Sequence, residues 1–352
     1  MTTTFQYNQL FTLESGESLP GFHLAYTTHG KLNAAKDNVV WIFHALTANS
    51  NPVEWWPGLV GEGKYLDPAK YFIICVNKPG SPYGSISPIS RNPLTGRPYY
   101  NGFPVFTIRD MIRTYQHLKN HLGITKVFVG LGGSTGGMQL LEWAIEEPDL
   151  FEHIVPIATN AVLSPWGIAF NTSQRMAIEA DPSWLEQRAD AGQKGLSAAR
   201  SIALLSYRHY NGYSITQRRD KAFVAMSPET VYAADNYQRY QGIKLVNRFN
   251  VISYYRLSQS MDSHDTGRNR GGVKAALASI RAKTLVIGIY SDLLYPISEQ
   301  EFLQQHIPGA ELLTITSEFG HDGFLLEYEK IENALVKFID ERKLSHLKIV
   351  NE

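Results

Sequence analysis

The stretch that most restricts how this chain can fold is Val127-Phe128-Val129-Gly130-Leu131-Gly132-Gly133-Ser134-Thr135-Gly136-Gly137-Met138-Gln139-Leu140-Leu141-Glu142-Trp143. A short apolar run of β type enters a glycine-rich corner and leaves with a helical pattern. At the corner, Gly132-Gly133-Ser134-Thr135-Gly136 fits Gly-x-Ser-x-Gly, a strand–turn–helix element that holds its serine in strained backbone with the hydroxyl exposed above a sheet. The flanking glycines are needed because a Cβ there would collide with the neighbouring strand and helix. An ordinary glycine-rich βα turn has the same composition, so the reading depends on whether partners for Ser134 follow downstream.

They do, in the order Ser, Asp, His that an elbow of this kind uses. Residues 284–289 read as a buried parallel strand, and Asp292 comes just past its carboxyl end, where open α/β sheets gather their sites. Residues 312–315 read as another short strand, and His321 follows it in the glycine-bracketed loop Ser317-Glu318-Phe319-Gly320-His321-Asp322-Gly323. The chain has 11 histidines, so the residue type alone says little; order and position after successive strands single out His321. A serine hydroxyl attacks once an imidazole removes its proton. A carboxylate on the other ring nitrogen fixes the tautomer and stabilises the imidazolium. Ser134, Asp292 and His321 therefore form a candidate triad.

The tetrahedral oxyanion needs two donors. One is the N–H of Thr135, directly after the nucleophile; the other is expected from the loop after an early strand, residues 39–43, with the Leu46 N–H as candidate. His44 in that loop could serve as a second base, but Ser134 uses only one, so a structural role is expected for it.

With these residues in place the chain resembles the homoserine O-acetyltransferase family, a branch of the α/β-hydrolase superfamily. The matching segments run nearly end to end: Phe11-Thr12-Leu13-Glu14-Ser15-Gly16-Glu17, His44-Ala45-Leu46-Thr47, Thr107-Ile108-Arg109-Asp110-Met111, the Ser134 elbow through Gln139, Gln174-Arg175-Met176-Ala177-Ile178, Ala199-Arg200-Ser201-Ile202-Ala203 and Gly320-His321-Asp322-Gly323-Phe324-Leu325. The resemblance implies an α/β-hydrolase fold and a ping-pong reaction. Ser134 would take an acyl group from acetyl-CoA or another acyl-CoA, and the side-chain hydroxyl of an amino acid would remove it. It also implies that Arg200 and Tyr207 hold the amino acid, that Asp322 lies near its ammonium group, and that Thr47 belongs to the substrate site. No cofactor would be permanently bound, and a homodimer would form through the lid.

Two departures bear on specificity. The family commonly has methionine after the nucleophile, where this chain has Thr135. Many bacterial members carry Gly-Gly-Cys-x-Gly where this chain has Gly80-Ser81-Pro82-Tyr83-Gly84-Ser85, a version closer to fungal relatives and to members that acylate serine. Serine as acceptor, a succinyl donor, and hydrolysis of esters or thioesters by the same triad all stay open beside homoserine acetylation. A non-catalytic binding protein on the same fold is the alternative from another class, and an incomplete triad would have favoured it.

Alternation of strands (39–43, 71–76, 127–130, 154–158, 284–289, 312–315) with helical segments such as Met111-Ile112-Arg113-Thr114-Tyr115 argues a mainly parallel sheet with helices on both faces. Between about 160 and 279 the strand signal gives way to helical patterns, read as an inserted helical lid; residues 1–159 and 280–352 form the core. Trp166, Phe170, Tyr254 and Tyr255 could wall the entrance, form the lid interior or face a second copy. In a transferase such a lid would restrict water at the acyl-enzyme.

Lys plus Arg equals Asp plus Glu at 33 each, so no net field draws nucleic acid or an anionic membrane. Arg218-Arg219-Asp220-Lys221 and Arg268-Asn269-Arg270 read as solvated faces. The one cysteine, Cys75, reads as a buried core thiol and suits a reducing cytoplasm. No signal peptide, membrane-spanning run or metal signature is recognised; His264 and Asp265 read as polar lid contacts. Gly58-Leu59-Val60-Gly61-Glu62-Gly63-Lys64 has P-loop spacing, but Tyr65 stands where Ser or Thr is required.

Overall fold

The computed structural model describes residues 2–217, 219–220 and 232–340. Met1, Arg218, Lys221 and the last stretch assigned to the core, 341–352, lie outside the described residues.

Eight strands form one sheet: β1 (Thr2–Tyr7), β2 (Phe22–His29), β3 (Val39–Phe43), β4 (Phe72–Val76), β5 (Val127–Gly133), β6 (Phe151–Ile157), β7 (Lys283–Ile289) and β8 (Glu311–Ile315), in the spatial order β1-β2-β4-β3-β5-β6-β7-β8. The pairs from β4 to β8 are parallel, while β1/β2 and β2/β4 are antiparallel. Side chains alternate across the central strands: Val39, Trp41 and Phe43 enter one apolar cluster, Val40 and Ile42 the other. Both faces are thus covered, which is why these strands read as continuous apolar runs rather than as an alternating pattern.

The six strands expected from sequence are present. β1 and β2 escape that reading because Phe5 alone is buried in the Thr-rich β1, and β2 is buried at four successive positions without a two-residue period. β5 runs on through Gly133 rather than stopping at Gly130, so the glycines still belong to the ladder: Gly132 pairs with Phe43 and Gly133 with Ile157.

Helix α1 (Ile108–His121) packs beside α2 (Thr135–Glu146), the helix that leaves the elbow. A capping box starts α1: the Thr107 hydroxyl accepts from the Asp110 N–H, and the Asp110 carboxylate accepts from the Thr107 N–H. Between β6 and β7 lie α3 (Pro165–Glu179), α4 (Gln193–Tyr207), α5 (Tyr210–Gln217), α6 (Ala233–Val246) and α7 (Val251–Asp262). Within this insertion Tyr254 is fully buried and donates its hydroxyl to Gln174 at 2.5 Å, and Tyr255 donates to Glu179. Trp166 is exposed and reaches the Leu293 carbonyl. None of these aromatic residues borders the cavity described below, so they serve the interior and surface of the insertion.

One expectation is corrected here. Arg268 and Arg270 are not a solvated face: both point into a half-buried ion network. Arg109, nearly buried on α1, donates to Glu142 of α2 at 2.6 Å and to Glu14 at 3.0 Å. Arg268 reaches Glu14 at 2.6 Å, Arg270 reaches Glu142 at 2.6 Å and also contacts Glu146, and the Thr107 hydroxyl donates to Glu14 at 2.5 Å. The buried carboxylates draw these arginines inward because an unpaired charge there would be costly. The segments containing Glu14 and Arg109, matched above as family patterns, are therefore the two ends of one structural knot.

Candidate active site

Three strand ends deliver the expected triad to one side of the sheet. Ser134 follows β5 with φ 57° and ψ −126°, a left-handed backbone rare for a residue with a side chain. Local contacts hold it there: its N–H donates to the Ile157 carbonyl at 2.9 Å and its carbonyl accepts from the Thr159 hydroxyl at 2.9 Å. The elbow closes only because its flanks are glycine. A Cβ on Gly136 would lie 2.1 Å from the Phe43 carbonyl oxygen, and one on Gly132 would lie 2.4 Å from the Gly136 backbone.

Past β7, Asp292 is buried. Its Oδ1 accepts from the Leu294 and Tyr295 N–H groups at 2.8 and 2.9 Å, and its Oδ2 accepts from His321 Nδ1 at 2.6 Å. The imidazole of His321, after β8, lies among the rings of Tyr207, Tyr295 and Phe324 at centroid distances of 5.6, 5.2 and 5.3 Å. With Nδ1 engaged by the carboxylate, Nε2 is the nitrogen suited to take a proton from a neighbouring hydroxyl.

Ser134 and His321 border one cavity of about 580 Å³, together with Leu46, Thr47, Tyr83, Arg200, Tyr207, Asp322 and the α6 residue Lys244. Thr135 opens α2, where a helical N–H has no intrahelical acceptor and is available to a ligand. Arg200 on α4 lies with its guanidinium 5.4 Å from the Tyr207 ring centroid, and among the described residues no carboxylate pairs with it. Asp322 borders the cavity too, but in an ion pair with Arg208. Its expected ammonium partner would share that carboxylate with a guanidinium, a contact that sequence reasoning missed.

Arg248 was also missed. It borders the cavity from the end of α6 and donates to the Thr47 carbonyl at 2.5 Å and to the Tyr83 hydroxyl at 2.6 Å. Arg248 thereby bridges the loop after β3 to Tyr83, the residue of the Gly80–Ser85 segment that borders the cavity. A cation just past the end of a helix reads in sequence as a solvated residue, and only the chain crossing brings it here.

His44 is buried and fully engaged by backbone. Nδ1 lies 2.8 Å from the Ala45 carbonyl and Nε2 accepts from the Lys78 N–H at 3.2 Å. One nitrogen donates and the other accepts, so the ring is neutral; burial, then the nearby Lys78, holds its pKa well below the usual histidine value. It has no nitrogen left to act as a second base. His264 is likewise buried, with Nε2 at 2.9 Å from the Asn160 carbonyl. Burial pushes the Cys75 thiol up to about 12, which makes it an inert core group. Among the described residues no helix is long and apolar enough to cross a membrane.

Comparison with known proteins agrees with this architecture. A model of the alpha/beta hydrolase fold matches residues 38–328. A homoserine O-acetyltransferase of Cyclobacterium marinum is 47% identical over 339 residues, covering 95% of this chain and 94% of the relative. The crystal structure of homoserine O-acetyltransferase from Bacillus anthracis superposes with a TM-score of 0.86 at 25% identity, over 96% of this chain and 97% of that one. An acetylester hydrolase from Corynebacterium glutamicum superposes with a TM-score of 0.85 at 26% identity, over 97% and 96%. A sheet that brings Ser134, Asp292 and His321 together, joined to near-half identity along almost the whole length of both sequences, places the chain in the homoserine O-acetyltransferase family of the α/β-hydrolase fold.

Proposed function

We propose that the protein transfers the acetyl group of acetyl-CoA to the side-chain hydroxyl of L-homoserine through an acetyl-Ser134 intermediate. The observation that carries the acceptor side is Arg200, a cavity-facing guanidinium without a carboxylate partner among the described residues. Its fork suits the α-carboxylate of an amino acid through two parallel hydrogen bonds. Tyr207 and Thr47 complete that pocket, and Asp322 would share its carboxylate between Arg208 and the ammonium group.

In the first half-reaction Ser134 Oγ attacks the thioester carbonyl and its proton passes to His321 Nε2. The Leu46 and Thr135 N–H groups hold the oxyanion. Collapse breaks the C–S bond, and CoA leaves with the proton from His321. In the second half-reaction His321 takes the proton of the homoserine hydroxyl, which attacks acetyl-Ser134, and the ester product leaves as Ser134 recovers its proton. Asp292 keeps the imidazole in one tautomer throughout.

The similarity to an acetylester hydrolase supports a second reading, in which water is the acceptor. CoA release from acetyl-CoA, measured with L-homoserine, L-serine or no amino acid, separates the two. Homoserine-dependent release with O-acetylhomoserine as product is expected; release indifferent to amino acid leaves an esterase. Arg200→Ala should lower kcat/KM for homoserine roughly 100-fold or more while the hydrolysis of p-nitrophenyl acetate changes by less than about threefold. Equal loss on both substrates would remove Arg200 from acceptor binding. The same reading extends to a homodimer, supported by the exposed Leu205, Tyr240 and Ile243 of the helical insertion, and to a reducing cytoplasm, supported by the free thiol of Cys75. Sedimentation velocity tests the dimer.

A further inference from the structure

One buried cation has no part in the chemistry described so far. Lys78, just past β4, is 2% exposed, and among the described residues no carboxylate pairs with it. Its Nζ donates to the His44 carbonyl at 3.0 Å and to the Thr135 hydroxyl at 3.1 Å. Its N–H donates to His44 Nε2, so the lysine grips the histidine at both ends. Besides His44, the titratable neighbour is the Cys75 thiol, itself neutral.

These contacts join two particular segments. His44 opens the loop that carries Leu46, and Thr135 is the residue directly after Ser134. The N–H groups that receive the oxyanion come from those segments, and α2 contributes a further tie: Gln139 donates to the Thr135 carbonyl and accepts from Tyr115. The lysine and the threonine form one device.

Its presence is not explained by stability. A buried ammonium among neutral acceptors is unfavourable, and burial lowers the Lys78 pKa to about 7. Between that value and the ordinary lysine range the unfolded chain binds a proton that the folded chain has shed, so stability rises with pH across the window. Below it the full cost of the buried charge is present. An apolar side chain of similar length would fill the same volume without that cost.

We propose that Lys78 is a positioning residue for acyl transfer, which sets the separation of the Leu46 and Thr135 N–H donors by tying the His44 loop to the Thr135 hydroxyl. It acts through these two segments and does not touch substrate. The inference rests on the acyl-Ser134 reading, and p-nitrophenyl acetate tests both, since its acylation burst needs neither CoA nor amino acid.

Lys78→Met is expected to slow the burst about 10- to 100-fold with KM within about threefold, because a misplaced oxyanion donor is felt in the transition state and not in the bound ester. The same variant should melt at or above the parent temperature at pH 6. Thr135→Val, which removes the acceptor and keeps the shape, should slow the burst in the same way, and Thr135→Ser should restore it to within about threefold of the parent. If Lys78→Met does not fold, the Val and Ser pair decides alone. Parental burst rates in Lys78→Met, equal losses in Thr135→Val and Thr135→Ser, or a rate loss that only tracks a lower melting temperature would each overturn the proposal. Absence of any burst and of acetyl-Ser134 in the parent protein would instead overturn the acyl-enzyme reading beneath it.

Discussion

Replacing Asp292 by Asn should lower kcat for acyl transfer about 10³- to 10⁴-fold without unfolding the protein. The size of the effect follows from how the carboxylate is held. Oδ1 accepts from two backbone N–H groups, and an Asn side chain can satisfy them only with its oxygen. The amide NH₂ must then face His321 Nδ1, 2.6 Å from where Oδ2 stood. A donor facing Nδ1 forces the imidazole proton onto Nε2, the nitrogen that must accept the proton of Ser134. The ring stays in place among its aromatic neighbours but carries the wrong tautomer, and the charge that stabilised the imidazolium is gone. The check is stopped-flow acylation together with circular dichroism. A folded variant within tenfold of the parent rate would show that His321 is oriented by some other group.

Arg109→Met is the change expected to cost most in stability, about 3–5 kcal/mol. The side chain is 6% exposed and bonds Glu142, itself 3% exposed, together with Glu14. Removing the guanidinium leaves Glu142 with Arg270 and Glu14 with Arg268, both reaching in from one loop. Two carboxylates would then lie beside an apolar thioether, with much of their desolvation uncompensated. Urea unfolding followed by tryptophan fluorescence reads the loss. Arg109→Met combined with Glu142→Leu should recover part of it, because replacing a buried pair together is far milder than breaking it. A loss below about 1 kcal/mol in the single variant would mean that Arg268 and Arg270 suffice.

The features that could be read from sequence were those with a local signature. The elbow is written in consecutive residues, with Gly132 and Gly136 demanded by contacts of 2.4 and 2.1 Å. The parallel strands show as apolar runs because each is buried on both faces, and Asp292 and His321 stand at the ends of two of them. The helical pattern of residues 111–115 and the helical character of the insertion were also visible, though the start of that first helix at Thr107 was not. What escaped depends on partners far apart in the chain. Arg268 looks solvated until Glu14 meets it, Asp322 looks free until Arg208 pairs with it, and Arg248 shows no role until it reaches Thr47. Lys78 was the least legible of all. A lysine at the end of a strand is ordinarily at a surface, and nothing within its own segment says that His44 and Thr135 close over it. Charge pairs and hydrogen bonds of this kind have no period, so no local pattern announces them.

The ion network also sets a timetable for synthesis. Arg268 and Glu14 are separated by 254 positions, and at ribosomal rates of about 5–20 residues per second the arginine emerges roughly 13–50 s after the glutamate. The elbow helix with Glu142 emerges about halfway through that interval, and from then until Arg268 arrives the carboxylates of the network are only partly matched. The knot can tighten only when the chain returning from the helical insertion arrives. Nascent chains stalled short of residue 268 should accordingly remain sensitive to protease around the elbow helix, and chains long enough to present Arg268 and Arg270 outside the ribosome should become resistant. Resistance gained before then would mean that Arg109 alone locks the first half.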